Sequence, residues 1–194
     1  MGRLVLATTN RGKVAEIEEL LKESYDEIVT AAELGIHVDV VEDGENFEAN
    51  AIKKAVEISK LTEGDVLADD SGLSVKALGG RPGVRSARFA GEEATDAENN
   101  ALLLEQMRGV TDRSAQFVCC IVVASGGRVK FSVEGTVDGV IGEEPAGEGG
   151  FGYDPLFFLP DSDMTFAEIS MDDKNQISHR AVALKKLQEL VKVQ

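Results

Sequence analysis

Apolar positions recur along the chain with two periods, one of strands and one of helices, and they alternate in order. RLVLATT at residues 3–9 is a short β-branched run, and it leads into Asn10 as a helix N-cap. Val14, Ile17, Leu20 and Leu21 then share one helical face, which predicts strand, tight turn, helix. A second strand covers residues 27–30, and a helix over residues 47–61 carries Ile52, Ala55 and Ile58 as its inner stripe. VLADDSGLSVKAL reads as two short strands hinged near Ser71 and Gly72, followed by GGRPGVRSARFAG, an Arg- and Gly-rich loop of low periodicity. Thr95 and Glu98 form a capping box that opens a helix through Leu102, Leu103 and Met107. Two long β-type runs, SAQFVCCIVVAS and RVKFSVEGTVDGVIG, flank Gly126 and Gly127 and predict an antiparallel hairpin. The tail has a glycine loop, a short helix with a second capping box at Thr165 and Glu168, and a last helix from about residue 178 with Val182, Leu184, Leu187 and Val191 inward. The fold class is α/β with a mixed, twisted central sheet and flanking helices.

The 194 residues, 43% of them apolar, fit one large domain or two fused lobes. Acidic groups number 35 against 20 basic ones, a formal net charge of −15, which argues against a broad phosphate-tracking surface of the nucleic-acid-binding kind. No window approaches the roughly 18 apolar residues of a membrane span, and the N-terminal apolar run is too short for a signal segment. Cys119 and Cys120 are neighbours that a strand points to opposite faces, so they read as reduced core cysteines of a cytoplasmic protein.

Four segments carry candidate chemistry. In TTNRGK a strand feeds a turn whose helix begins beside Asn10. The geometry aims backbone N–H groups and the positive helix end at the strand's edge, where phosphate binds. Thr8, Thr9 and Asn10 add donors and Lys13 adds charge, although an ordinary capped turn accounts for the same residues. AGEGGFG contains G-x-G-x-x-G at Gly147, Gly149 and Gly152, but Pro155 follows where a dinucleotide site requires a helix. That segment is either a surface loop or one whose glycines let backbone approach a flat ligand while Phe151 or Tyr153 stacks on it. His179 and Arg180 open the last helix, where the dipole disfavours cations; an arriving anion would repair the mismatch, and a solvent-facing polar turn accounts for the pair equally well. Asp69 and Asp70 lie side by side at the end of an apolar run, with Glu42 and Asp43 in an earlier acidic turn. Clustered carboxylates without cysteine or histidine suit a hard cation such as Mg²⁺, and turn-forming aspartates with a solvated face are the competing account.

Together, T-x-N-x-x-K at Thr8, Asn10 and Lys13, ADDSGL at 68–73, GGFGYDP at 149–155 and SHR at 178–180 resemble the inosine/xanthosine triphosphate pyrophosphatase family. The resemblance runs from about residue 4 to 190. It implies a single catalytic domain over 1–194, elongated and two-lobed with the active site in the cleft between lobes. It also implies a homodimeric, Mg²⁺-dependent enzyme that cuts ITP, dITP or XTP into monophosphate and pyrophosphate, with neither nucleic acid nor membrane as partner. Carried over by position, Thr8, Thr9, Asn10, Arg11, Gly12, Lys13, Lys53 and Ser71 would hold the triphosphate. Glu42 and Asp70 would hold the metal, Asp70 would accept the proton of the attacking water, and Asp69 would support it. Phe151, Gly152, Tyr153 and Asp154 would lie against the base, with Lys174, His179 and Arg180 around its 6-keto edge. A septum-type pyrophosphatase of modified pyrimidine nucleotides and a non-catalytic nucleotide sensor are the alternatives. GGFGYDP and SHR argue against the first, and paired carboxylates beside a phosphate site argue against the second.

Overall fold

The computed structural model describes residues 2–160 and 162–192, and the remaining positions of the expected 1–194 domain, residues 1, 161, 193 and 194, lie outside it. In chain order the elements are β1 (Arg3–Leu6), α1 (Arg11–Leu21), β2 (Glu27–Thr30), α2 (Phe47–Ser59), β3 (Asp65–Val75), α3 (Asp96–Gln106), β4 (Ser114–Ser125), β5 (Arg128–Ile141), β6 (Phe157–Phe158), α4 (Met171–Ile177) and α5 (His179–Lys192). The strands form one mixed sheet in the order β2-β1-β3-β4-β5-β6. β1 pairs in parallel with β2 and with β3, and β5 pairs antiparallel with β6. Gly126 and Gly127, at φ 55° and 80°, connect β4 to β5, and a two-residue link of this kind joins strands only in antiparallel fashion.

The chain divides into two compact units, residues 1–70, 119–135 and 179–194 in the first and residues 71–118 and 136–178 in the second. The first has its own core of Leu4, Leu6, Ile17, Leu21, Leu67, Ile121, Val123, Ala183, Leu184 and Leu187. In it α1 lies against α5. The second is built round Leu73, Leu103, Met107, Phe117, Leu156, Phe157 and Phe166, with the Phe117 and Phe157 rings 4.5 Å apart. β4 is buried at eight consecutive positions, 117–124, the pattern of a strand covered on both faces.

Three local expectations change. The run over 65–75 is one continuous strand rather than two hinged pieces. Gly72 is there for clearance: a Cβ would strike Ser86 Oγ and come within 2.7 Å of the Gly83 carbonyl. Ser86 Oγ has work at that spot, since it accepts the Leu73 N–H at 2.8 Å and donates to the Gly83 carbonyl at 2.6 Å. Residues 83–88, read as loop, form a 3-10 segment. Thr165 and Glu168 do pair, the Thr165 N–H reaching Glu168 Oε2 at 2.8 Å, but around a single turn. The short helix starts later, at Met171, where the Ser170 side chain accepts the Asp173 N–H.

Candidate active site

The first unit gathers most of the expected phosphate and metal residues. β1 ends at Leu6, the Ala7 N–H bonds the Leu67 carbonyl at 2.8 Å, and the chain turns through Thr8 and Thr9. Thr8 Oγ1 accepts the Asn10 N–H at 3.2 Å, and Asn10 Oδ1 caps α1 by accepting the Lys13 N–H at 3.1 Å. The first turn of α1 holds Arg11, Gly12 and Lys13 and no acid, so nothing on the helix itself offsets its positive end.

The two aspartates occupy different electrostatic worlds, as alternation along β3 requires. Asp69 is 1% exposed. Its Oδ2 meets Lys13 Nζ at 2.9 Å and Arg180 Nη2 at 3.1 Å, and Arg180 Nη1 holds the buried Glu16 on its other side. Burial pushes the Asp69 carboxyl up, but Lys13, Arg180 and Lys54 outweigh it and hold the group well below the usual carboxylate range. The same surroundings push the neighbouring Cys119 thiol up to about 12, chiefly by burial, so it stays protonated. Asp70 is bonded by Asn50 Nδ2 of α2 at 2.9 Å. There burial wins: with the Glu42 charge added, it raises the carboxyl despite Lys54 and Asn50.

Lys54 lies at the centre of this group. Its Nζ donates to the Asp69 carbonyl at 2.7 Å and sits 3.2 Å from Glu42 Oε1. Lys53, the residue expected here, instead pairs with the exposed Asp43 at 2.8 Å. The reason is helical register: the buried stripe of α2 is Ala51, Ala55 and Ile58, not one beginning at Ile52. That register puts Asn50 and Lys54, four apart, on the side of the aspartates.

Arg180, the cation at the start of α5, is paired inside the protein with Glu16 and Asp69. His179 beside it is 5% exposed.

The second unit holds Ser71, partly exposed in β3, and the glycine loop. Asp154, 2% exposed, accepts the Phe151 N–H at 2.9 Å and Lys174 Nζ at 2.7 Å. The same Nζ lies 4.5 Å from the Phe151 ring centroid, a cation–π contact. Gly150, at φ 72°, is needed where a Cβ would collide with the Asp154 carboxylate. Of the two aromatics proposed to stack, Phe151 is partly exposed, whereas Tyr153 is a core residue whose hydroxyl donates to the Ser86 carbonyl at 2.8 Å. Glu16, Asn50 and Lys54 were missed in the sequence. An i,i+4 reading of N50-A-I-K-K54 finds the last two, while Glu16 sits among EIEEL with no signal that separates it from its exposed neighbours.

Comparison with known proteins gives one consistent answer. A dITP/XTP pyrophosphatase of Desulfotalea psychrophila is 51% identical over 181 residues, covering 93% of this chain and 81% of that protein. The Bacillus subtilis protein of the same name is 47% identical, with 98% of both chains covered. Among solved structures, a HAM1 protein from Coxiella burnetii superposes with a TM-score of 0.91 at 40% identity, covering 100% of both chains. The Staphylococcus aureus Ham1 protein gives 0.88 at 42% identity, covering 98% of each. The Ham1 family profile matches residues 4–190, and this chain belongs to the Ham1 family.

Proposed function

We propose that this chain hydrolyses deaminated purine nucleoside triphosphates, ITP, dITP and XTP, to the monophosphate and pyrophosphate. The observation that carries the reading is the asymmetric aspartate pair in a chain about half identical to proteins named dITP/XTP pyrophosphatase. Asp69, held ionised by Lys13 and Arg180, anchors the cations. Asp70, bonded by Asn50 and beside Glu42, is the proton acceptor for the attacking water.

In this reading the α1 turn, with Thr8, Thr9, Asn10, Arg11, Gly12 and Lys13, takes the triphosphate, and Lys54 takes the part first given to Lys53. Asp70 accepts a proton from water as its oxygen bonds to the α-phosphorus, and the bond from that phosphorus to the bridging oxygen breaks, releasing pyrophosphate. Glu42 and Asp70 fit Mg²⁺: both are hard oxygen donors, close enough for the Glu42 charge to act on Asp70. Among the described residues no group of three or more His, Cys, Asp and Glu could form a closed metal cage. Two carboxylates suit an ion that keeps waters and takes its other oxygens from phosphate. When bound, the ion supplies charge neutralisation to the phosphates. Phe151 to Asp154 take the base. Lys174, buried and cationic, faces its 6-keto oxygen, a contact that the amino group of adenine leaves unsatisfied. Both cysteines are free and buried, which supports a reducing, cytoplasmic setting. Among the described residues no helix is long and apolar enough to cross a membrane.

The test is pyrophosphate release from ITP, dITP, XTP, ATP and GTP, with Mg²⁺ and with EDTA. The expectation is metal-dependent turnover of the first three and, in Asp70→Asn, a loss of about 10²–10⁴-fold with folding retained. Equal rates for ATP and ITP refute the purine-editing role, and near-full turnover by Asp70→Asn refutes the general base.

A further inference from the structure

The glycine loop has a second set of restraints, supplied within the same unit by α3. Asp96, the first residue of that helix, accepts the Gly152 N–H on Oδ2 at 2.7 Å. Four residues on, Asn100 Nδ2 donates to the Gly152 carbonyl at 3.0 Å. Residues four apart share a helix face. One face of α3 therefore grips both polar groups of a single residue, which sits at φ 63° between Phe151 and Tyr153.

The gripping helix is itself fixed. Its first turn carries the complete Thr95 and Glu98 capping box. Asn99 accepts the Ala90 N–H at 2.8 Å and donates to the Ala87 carbonyl at 3.1 Å. On the loop side, Tyr153 is anchored through its hydroxyl and Phe151 through its N–H to Asp154. Gly152 is the link between these anchors, and glycine in a left-handed conformation is the residue freest to rotate once released.

We propose that Asp96 and Asn100 are positioning residues for nucleobase recognition: their clamp on Gly152 holds the Phe151 ring and the Lys174 ammonium in a fixed register for a purine. The proposal rests on the reading that residues 151–154 take the base. A loop already held in its bound conformation spares the ligand the cost of ordering it. A carboxylate bond to an amide N–H is roughly twice as strong as a neutral one, so Asp96 carries the larger share. Since neither side chain is assigned a place at the triphosphate, their loss acts on binding and base choice rather than on bond cleavage. A merely structural role has a different signature. Asp96 also favours the positive end of α3, so its removal would then lower melting temperature and leave the kinetics alone.

The experiment measures KM and kcat for ITP and ATP, with thermal melting, in Asp96→Ala, Asp96→Asn, Asn100→Ala and Phe151→Ala. In Asp96→Ala the KM for ITP is expected to rise about tenfold, the change that one charge-assisted hydrogen bond supports, with kcat changing far less. The ITP-to-ATP ratio of kcat/KM falls with it. Asn100→Ala gives a smaller shift in the same direction. Asp96→Asn keeps an oxygen for the Gly152 N–H and recovers most of the KM. If Asp96→Ala only melts earlier, with KM and base choice intact, while Phe151→Ala raises KM, the clamp is overturned and the base-binding loop stands. If Phe151→Ala also leaves KM for ITP unchanged, the base-binding reading itself is overturned.

Discussion

Replacing Arg180 by leucine removes the cation that lies between Glu16 and Asp69. Arg180 is 1% exposed, as are both of its carboxylate partners, so no water stands ready to replace the guanidinium. Breaking a buried pair from one side costs about 3–5 kcal/mol, because the remaining charge stays desolvated. Here two carboxylates lose the same cation at once, while Lys13 still reaches Asp69 at 2.9 Å. At about 2–4 °C per kcal/mol for a chain of this size, the melting temperature should fall by about 6–20 °C. The measurement is thermal unfolding by circular dichroism in EDTA, from neutral to acid pH. The direction with pH follows from Asp69. Its carboxyl is depressed in the native protein, so the stability it contributes is present above the ordinary carboxylate value near 4 and is lost only as pH falls through the lowered native one. Without Arg180 that depression weakens, so the gap between variant and parent should be widest at neutral pH and narrow on acidification. The triple change Arg180→Leu, Glu16→Gln and Asp69→Asn should recover much of the loss, since neutral groups need no cation. A fall below about 2 °C, less than 1 kcal/mol at this chain length, would refute the buried-network argument.

Three further outcomes are expected. Lys54→Met should lower pyrophosphate release about a hundredfold, as loss of a preorganised charge at a reacting group does, while Lys53→Met, which gives up an exposed pair with Asp43, stays within about threefold of the parent. Equal losses in the two would reverse the assignment. Gly72→Ala should cost about 1–3 kcal/mol in urea unfolding, because the added methyl meets Ser86 Oγ and the Gly83 carbonyl; an unchanged midpoint would show that the 83–88 segment yields freely. The Asp112 carboxyl, held down to about 2 by hydrogen bonds from Ser114 and by Lys76, should titrate there by carbon NMR and rise toward 4 in Ser114→Ala. What stability it contributes is present above about 4 and lost through about 2, and an unmoved titration in the variant would exclude the Ser114 hydroxyl as its cause, since the backbone N–H bond is kept.

Local chemistry was readable in the chain wherever neighbours in sequence are also partners in space. Asn10 caps α1, Thr95 and Glu98 close a capping box, and the glycine pair at 126 and 127 turns a hairpin, each within four residues. The fold class followed from the alternation of the two apolar periods. Features set by distant partners were not readable. Gly72 looked like a hinge because glycine so often is one, and only the approach of Ser86, 14 residues later, shows that its bareness serves clearance. Lys53 and Lys54 are chemically alike, and only their distant partners tell them apart: Lys53 reaches Asp43, whereas Lys54 reaches Glu42 and the Asp69 carbonyl. Glu16 meets Arg180 across 164 residues, and Asp96 meets Gly152 across 56, spans over which no local pattern carries information.

The parallel ladder between β1 and β3 pairs Leu4 with Asp65 and Leu6 with Leu67, two residues before the first aspartate. Because side chains alternate along a strand, sliding β3 by a single position would hand Asp70 to Lys13 and Arg180 and turn its neighbour toward Asn50. The different surroundings of two identical carboxylates are thus written in strand alignment rather than in residue type. Insertions and deletions in this stretch should be excluded even where every motif letter survives, whereas the same change in the 126–127 turn would leave the pair untouched.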